Sequence, residues 1–574
     1  MKQRVPSQIA GVCSLLCTLL CPVASASAPR AETFDLLLLD GTVIDGSGSP
    51  GRVTDVGVRG DRVVALGELD EEAAQEIVDA RGLVVAPGFI NMLSWATESL
   101  LVDGLAQSDI RQGVTLEVFG EGTSMGPLGP ALRQEMLDRQ GDLRFPITWE
   151  SFGAYLETLE RRGVAPNVAS FVGATNARIN VIGYADRKAT AAEIAQMQSM
   201  VRTAMEEGAL GVGSSLIYAP AFFADTDELV ALAAAAAPYG GRYISHLRSE
   251  GNRLLESVRE LITIAERAGV GAEIYHLKAA GRANWEKLED VIRLVEAARA
   301  RGLDISANMY TYTAGATGLE AAMPPWVQEG GHEQWVERLR DPVIRARVAR
   351  EMRTPSDGWE NLLLGAGPEG TLLSGFRNPA LKPLAGRRLS EVAAERGKTP
   401  EETAIDLVVQ DDSRVETIYF LMSEENVRRQ LALPWMSFGS DAAAPATSGV
   451  FLQRRPHPRT YGNVARLLGH YVREEKILPL EEAIRRLSAM PAEHLRLRER
   501  GRLAPGYHAD IVVFDPATVI DHATYEEPHQ YATGVRDVFV NGVAVLREGE
   551  PTGKKPGRAV RGPGWTGWSR TARD

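Results

Sequence analysis

The sequence is poor in cysteine, and its few cysteines lie at one end. The 574 residues include only Cys13, Cys17 and Cys21. These fall in a stretch typical of a secretory signal, in which Lys2 and Arg4 precede an apolar run and small residues follow it. We expect cleavage near Ala26 or Ala28, which makes 1–28 a signal peptide and the protein an exported one, periplasmic or secreted.

A chain that has lost this segment contains no cysteine. It can form no disulfide, although an export compartment would permit one, and it offers no thiolate to a metal. The apolar run is shorter than the ~20 residues of a spanning helix, so we expect no stable membrane anchor; an uncleaved anchor is the alternative. Cleavage removes two of the 63 basic residues and none of the 75 acidic ones, so the net charge becomes −14. That balance argues against a nucleic-acid partner.

Several familiar catalytic motifs are also missing. The sequence contains no GxSxG, no GxxxxGK[ST] and no HExxH. A serine hydrolase, a P-loop protein and a zincin therefore have no motif support. Oligomeric state leaves no signal in the sequence.

The order of the apolar segments predicts an α/β fold. Short β-rich runs at 29–87 and 496–574, divided by Asp-Gly and Gly-Asp turns, indicate one small β-domain built from both ends. Between them, at 88–495, Ala-rich helices alternate with short strands, which favours a (β/α)8 TIM-like barrel. A Gly/Pro-rich stretch at about 324–385 interrupts the alternation and is interpreted as an insertion over the barrel mouth. The apolar strands are VTLEVF, RYISHL, AEIYHL, DISANMY, TIYFLM and PWMSFGSD.

Histidines end two successive strands of the predicted barrel. There is no histidine before His246 in YISHLRSEG, and His276 follows in EIYHLKAAG. A single strand-end histidine is more often a hydrogen-bonded core residue than a ligand. Two in neighbouring βα units favour metal binding, because adjacent strands bring both imidazoles to one rim.

Acidic residues interrupt the strand GVTLEVFGEG. Alternation puts Thr115, Glu117, Phe119 and Glu121 on one side, and we expect this side to face the barrel lumen, with the aliphatic side against the helices. Glu121 would then stand at the mouth and Glu117 one layer deeper. A buried carboxylate requires a cation or a paired base, so a metal site and a salt bridge are both open for Glu117, and a metal is favoured for Glu121.

The same alternation places other polar residues near the mouth. Lys278 shares a side with His276, and Asn308 shares one with Tyr310. Asp441 follows Gly439-Ser440 at a strand end, where an aspartate is often only a helix cap.

Together, these motifs resemble the amidohydrolase superfamily, and within it the N-acyl-D-amino-acid deacylase (D-aminoacylase) branch. The matching segments are VAPGF, GALGVGSSLIYAP, SHLRSEG, YHLKAAGRANW, GSDA, HPRTYG and GRLAPGYHADIVVFDP. The resemblance covers nearly the whole chain after the signal. It implies a small β-sandwich domain from both termini, a distorted barrel, zinc dependence and hydrolysis of the amide of small-molecule N-acyl-D-amino acids.

The resemblance also implies roles for residues. His246 and His276 are similar to the family's zinc-binding histidines, and Asp441 falls on the aspartate that acts as general base and then acid. Where the family has a zinc-bound cysteine this chain reads FGEG, so Glu121 is the expected third ligand, with Gly122 as the alternative alignment.

Substrate-binding roles follow from the same resemblance. Lys278, Tyr310 and Arg459 fall on positions that hold the substrate, and Arg459 suits a bidentate grip on its α-carboxylate. His457, in the same HPR segment, is expected beside the substrate.

This chain departs from the family just after PGF. The family's HxH pair and acidic residue are replaced by Asn91, Leu93 and Trp95, and Ala174 stands where a further histidine is often found. We therefore expect one zinc per chain, with Trp95 lining the substrate pocket or packing the barrel.

Two other functions fit the sequence. One is an exported amidase or peptidase acting on other N-acyl or D-residue-containing compounds. The other is a non-catalytic ligand-binding protein that has lost its metal with the HxH pair.

Overall fold

The computed structural model describes residues 34–568. The predicted signal peptide and the three cysteines lie outside this range. No helix between 34 and 568 has the length and apolar character needed to cross a membrane.

Both ends of the described chain form one nine-stranded sheet. Its two halves join where Val84–Pro87 pairs antiparallel with Ile511–Phe514, with Val85 opposite Val513. This confirms the β-rich domain predicted at the amino end and shows that the carboxyl-terminal segment completes it. The nine strands are Phe34–Val43, Arg52–Arg59, Arg62–Gly67, Ala74–Asp79, Val84–Pro87, Ile511–Phe514, Val535–Val540, Val543–Arg547 and Glu550–Pro551.

The middle of the chain is a parallel (β/α)8 barrel, as predicted. The barrel strands are β1 (Phe89–Asn91), β2 (Val114–Phe119), β3 (Asn167–Ser170, continued by Val172–Gly173), β4 (Gly211–Ser215), β5 (Arg242–His246), β6 (Ala272–Ile274), β7 (Ile305–Met309) and β8 (Met436–Phe438). Neighbouring strands pair in this order from β1 to β3 and from β3 to β8. The barrel closes after β1 and β8, where the amide of Met92 donates to the carbonyl of Phe438 at 3.1 Å.

Amphipathic helices cover the outside of the barrel. In Leu254–Ala268 the buried residues recur at helical spacing, and Gly269 ends the helix with a positive φ of 70°. The α-helices outside the insertion are Ser99–Val102, Gln107–Ile110, Pro130–Asp138, Phe152–Arg162, Ala174–Val181, Ala191–Glu206, Thr226–Ala236, Leu254–Ala268, Leu288–Ala300, Glu424–Leu431, Arg459–Arg466, Leu480–Leu487 and Ala489–His494.

The predicted orientation of β2 is wrong. Leu116 and Val118 form the lumen, where they cluster with Ile244 and Tyr275 from strands across the barrel. Glu117 instead faces the helix layer. The side-chain amide of Asn91 donates both to Glu117 and to Asp109 in the helix Gln107–Ile110. The aliphatic side faced inward because this lumen is apolar at the level of β2.

The insertion is wider than predicted and has its own sheet. Ala314–Gly318 and Thr371–Gly375 both pair antiparallel with Glu416–Phe420. TIYFLM therefore belongs to the insertion and not to the barrel, and the bounds 324–385 were too narrow. Its helices are His332–Arg340, Pro342–Arg353, Leu362–Ala366, Leu389–Arg396 and Pro400–Asp411.

The backbone of the last described residues pairs with the barrel. The amide of Val168 in β3 donates to the carbonyl of Arg558 at 3.0 Å, and Val560 returns a bond to Val168 at 2.8 Å. Val560 is buried against lumen residues. The domain predicted at 496–574 therefore ends before this tail.

Candidate metal and active site

A cavity of about 830 Å³ opens at the carboxyl ends of the barrel strands, between the barrel and the insertion. This is the end at which barrel enzymes place their reactive groups. The residues expected to bind metal or substrate or to transfer protons all line it: Trp95, Glu121, His246, His276, Lys278, Tyr310, Asp441, His457 and Arg459.

Three buried side chains converge at one point of this cavity. Oε1 of Glu121 lies 3.1 Å from Nδ1 of His246 and 3.0 Å from Nε2 of His276, and the two ring nitrogens are 3.0 Å apart. The structure thus brings together Glu121 and both histidines, as the sequence predicted. Burial raises the pKa of Glu121, but the facing imidazoles of His276 and His246 outweigh it and hold that pKa well below its usual value.

Local backbone geometry delivers these side chains. Gly120 turns the chain after β2 with φ of 106°, and a Cβ there would lie 2.4 Å from the carbonyl oxygen of Phe171. Glu121 can therefore reach the mouth although Glu117 points away. His276 has a positive φ of 32°, and its amide is held by Oδ1 of Asn308 at 2.8 Å.

Glu250 is a functional candidate that the sequence reasoning missed. Its Oε1 lies 3.0 Å from Nδ1 of His276, and both its oxygens accept from Nζ of Lys278 at 2.7 and 2.8 Å. Nζ of Lys278 lies 2.7 Å from the same Nδ1, so Glu250 and Lys278 together engage the outer nitrogen of His276 and leave Nε2 facing Glu121. Burial opposes the ionised form of Glu250, but the Lys278 ammonium holds its pKa below the usual range. The only sequence signal was its position four residues after His246.

A second group of ligating side chains lies on the surface. Glu424, His470 and Glu475 also offer ligand atoms within 4.8 Å of one another. Arg428 already pairs with Glu475 at 2.6 Å, so that carboxylate is neutralised.

Asp441 stands opposite the three converging side chains with a positive φ of 49°. Its Oδ2 pairs with a guanidinium nitrogen of Arg459 at 2.8 Å. Burial raises the pKa of Asp441, and Arg459 offsets part of that effect. A buried carboxylate with one strong partner and a raised pKa suits proton transfer, and the cap interpretation does not explain its place in the cavity.

The residues in place of the HxH pair have clear surroundings. Leu93 is fully buried, and its carbonyl accepts from the amide of Asp441 at 2.8 Å. Trp95 is 38% exposed, and its indole N–H contacts two carboxylates, Oε2 of Glu121 at 3.0 Å and Oδ1 of Asp441 at 3.1 Å.

Asn91 supports Asp441 from behind. Its Oδ1 accepts from the amide of Ser440 at 2.8 Å, and its Nδ2 donates to Ser440, Glu117 and Asp109. Burial raises the pKa of Glu117 to about 7 and raises the pKa of Asp109 well above its usual value, with the charge of Glu117 adding to the effect on Asp109. Glu117 therefore belongs to a carboxyl pair in the helix layer and not to the group of converging ligand atoms.

Arg459 and Tyr310 form the substrate-facing wall. The guanidinium of Arg459 lies 4.4 Å from the ring centre of Tyr310, and its Nε and Nη1 have no hydrogen-bond partner in residues 34–568. Both nitrogens of His457 are engaged, since Nδ1 accepts from the amide of Arg459 at 3.0 Å and Nε2 donates to the carbonyl of Ala314 at 2.9 Å. His457 thus supports Arg459 and has no free nitrogen for a hydrogen bond to a substrate; its place beside the substrate stays a prediction.

Known proteins are similar to this chain over nearly its whole length. Residues 377–546 match the model of the amidohydrolase family. A D-aminoacylase of Alcaligenes xylosoxydans xylosoxydans is 37% identical over 538 residues, 93% of this chain and 99% of that protein.

Solved structures agree with the sequence comparison. A solved D-aminoacylase structure is 36% identical to this chain, with a TM-score of 0.76 over 92% of this chain and all of that protein. That protein is described as having a binuclear metal centre, with one-metal activation and second-metal attenuation. An N-acyl-D-glutamate deacylase of Bordetella bronchiseptica, complexed with zinc and a phosphonate mimic of the tetrahedral intermediate, is 30% identical, with TM-score 0.77 over the same shares.

The chain belongs to the amidohydrolase family. Within that family it falls in the D-aminoacylase branch, which confirms the resemblance found in the sequence.

The raised pKa of Glu117 predicts a pH-dependent stability. Below pH 4.5 the carboxyl is protonated in both states; between 4.5 and about 7 only the unfolded chain ionises, so the free energy of unfolding falls as pH rises. We expect Glu117 to contribute a loss on the order of 2 kcal/mol between pH 5 and 8, so the free energy of unfolding of Glu117→Gln should fall less steeply with pH, while the raised pKa of Asp109 maintains the remaining slope. Urea unfolding of the chelator-treated proteins measures it. Glu157→Gln, at an exposed site, should keep the wild-type slope, and an unchanged slope in Glu117→Gln would contradict the assignment.

Proposed function

We propose that this protein is a zinc-dependent hydrolase that cleaves the amide of N-acyl-D-amino acids to a carboxylate and a free amino acid. The observation that carries the proposal is the convergence of Glu121, His246 and His276 opposite Asp441 in one cavity. The named activities of the similar proteins support the substrate class.

The donor set fits zinc. Two imidazole nitrogens and one carboxylate oxygen are the ligands of many catalytic zinc sites, which keep a further position open. Burial and Lys278 oppose the charged form of His276, but the carboxylates of Glu250 and Glu121 outweigh them and raise its pKa to about 9. A divalent cation bound between the imidazoles would neutralise the same carboxylates in place of that proton. Zinc bound there would supply a Lewis acid and would bring the pKa of a bound water down to about 7.

Asp441 moves the proton. Its burial raises the pKa of the carboxyl toward the range in which it can both accept and donate. It takes a proton from the attacking water and then gives it to the departing amine nitrogen. Arg459 on Oδ2 and the indole of Trp95 on Oδ1 hold the carboxylate during both transfers.

Arg459 binds the α-carboxylate of the substrate. Its Nη2 pairs with Asp441, while Nε and Nη1 have no partner in residues 34–568, so the guanidinium retains N–H donors for a second carboxylate. Tyr310 stacks below the guanidinium and fixes its plane. The ammonium of Lys278 donates to Glu250, the carboxylate that contacts Nδ1 of His276. Lys278 therefore stabilises Glu250, in addition to lining the cavity where substrate contact was predicted.

One zinc per chain is the stoichiometry that the cavity supports. Asn91 and Leu93 are bound to the Asp441 loop, and the indole of Trp95 has no lone pair to offer a metal. The ligands for a second ion at this face are therefore missing from residues 91–95.

Replacing Asp441 by Asn should separate metal binding from proton transfer. We expect release of amino acid from N-acyl-D-amino acids to fall about 10²- to 10⁴-fold while zinc content stays at the wild-type level. Amine release and elemental analysis measure the two. Asp142→Asn, which changes another cavity aspartate paired with Lys382, should leave the rate near wild type. Full activity in Asp441→Asn would overturn the proposed role.

Replacing Arg459 by Met should weaken recognition of the carboxylate. Loss of charged hydrogen bonds predicts a fall in kcat/KM of about 10- to 100-fold. A substrate whose carboxylate is an amide should lose less activity on this substitution than the acid does, because only the contact of Arg459 with Asp441 is then lost. Steady-state kinetics with the two substrates test this, and an additive loss would place the carboxylate elsewhere.

We also propose export, which rests on residues 1–28 of the sequence alone. Expression of the full chain in a bacterial host should give a periplasmic or secreted protein whose first residue is Ser27 or Pro29. Cell fractionation and mass spectrometry of the amino terminus decide it; an intact, cytoplasmic chain would contradict it.

A further inference from the structure

The indole of Trp95 lies between the two carboxylates that the proposed reaction needs most. Its N–H is 3.0 Å from Oε2 of Glu121 and 3.1 Å from Oδ1 of Asp441. The other oxygen of Glu121, Oε1, is the one that faces the two imidazoles. The indole thus takes the Glu121 oxygen that points away from the converging ligand atoms.

No other protein donor serves these two oxygens in residues 34–568. Oε2 of Glu121 and Oδ1 of Asp441 each have the Trp95 N–H as partner, while Oδ2 of Asp441 is held by Arg459. Two carboxylates that share one neutral donor would repel each other and turn away if it were removed. The donor therefore sets the orientation of both.

The backbone holds the indole in register with Asp441. The amide of Trp95 donates to the carbonyl of Ala442 at 2.9 Å, and the amide of Asp441 donates to the carbonyl of Leu93 at 2.8 Å. Ser94 and Ala442 form a parallel bridge between the same segments. The segment after β1 and the segment after β8 therefore move as one unit, with the indole on one and the carboxylate on the other.

We propose that Trp95 is a positioning residue: its N–H restricts Glu121 to a one-oxygen contact with the metal and aims Asp441 at the attacking water. This inference rests on the proposed function. The rest of the ring, 38% exposed in the cavity, forms a wall of the substrate pocket. The indole N–H thus orients the carboxylates of Glu121 and Asp441, as a second cation between them could.

The variant Trp95→Phe removes the N–H and keeps an aromatic ring at a half-exposed position. We expect the zinc dissociation constant to rise about tenfold or more, as for other residues that orient a ligand. We also expect kcat to fall about tenfold or more with KM within about threefold, because the ring wall is retained while the general base is misaligned.

Trp285→Phe is the matched control. Its indole N–H donates to a backbone carbonyl, that of Leu421, at 2.8 Å, and it lies outside the cavity lining. Zinc affinity and kcat in this variant should stay within about twofold of wild type. Thermal unfolding of both variants, measured without metal, reports whether the fold is intact.

Cobalt substitution gives a spectroscopic readout that does not depend on turnover. If Glu121 is freed to bind through both oxygens, the coordination number rises and the visible absorption of the Co²⁺-loaded Trp95→Phe protein should weaken relative to wild type. An unchanged spectrum together with unchanged zinc affinity would overturn the proposal. So would a rise in KM alone, since that would leave Trp95 as a pocket wall and nothing more.

These measurements separate the inference from the function beneath it. If the wild type binds zinc but releases no amino acid, the proposed function fails, and the zinc affinity and cobalt spectrum of Trp95→Phe still decide the role of the indole. If the wild type binds no zinc, both fall together.

Discussion

The site depends on one carboxylate oxygen, Oε1 of Glu121, which lies within 3.1 Å of two imidazole nitrogens. Three strand ends have to meet for this to happen, those of β2, β5 and β6. The register that puts Ser245 beside Ile274 brings the two histidines together. Gly120 completes the arrangement because its positive φ redirects the chain after β2 and its missing side chain lets that turn approach Phe171.

Charge balance ties the neighbouring residues to that oxygen. Glu250, Lys278 and Arg459 are all buried, and each pairs with a member of the site. Their pairing is favourable only as a set, since removal of one partner leaves an uncompensated charge in a medium of low polarisability. The carboxyl pair of Asp109 and Glu117 follows a different rule. No basic side chain of residues 34–568 pairs with it, so burial raises both pKa values, and Asn91 donates to one oxygen of each carboxyl group.

The sequence predicted those site residues whose polar side chains interrupt an otherwise apolar strand pattern. An imidazole at the end of an apolar strand is conspicuous, so His246 and His276 could be identified, and the family resemblance supplied Asp441 and Arg459. Alternation failed for Glu117 because it assumes an unbroken strand up to Glu121, and Gly120 ends that strand. Glu250 lies in a loop after β5, where no periodicity applies. The hydrogen bonds of Trp95 depend on where the segment after β8 lies, which no local pattern encodes.

The insertion contributes to the site as well as covering it. Its Ala314 accepts from His457, which holds the amide of Arg459, and its Glu360 accepts from the amide of Glu250 at 2.8 Å. Arg459 and Glu250, which each pair with a charged side chain of the site, are thereby held by the inserted segment. A shift of that segment would move Arg459 and Glu250 together. Under the proposed function, the grip on the substrate carboxylate and the position of His276 would therefore change together.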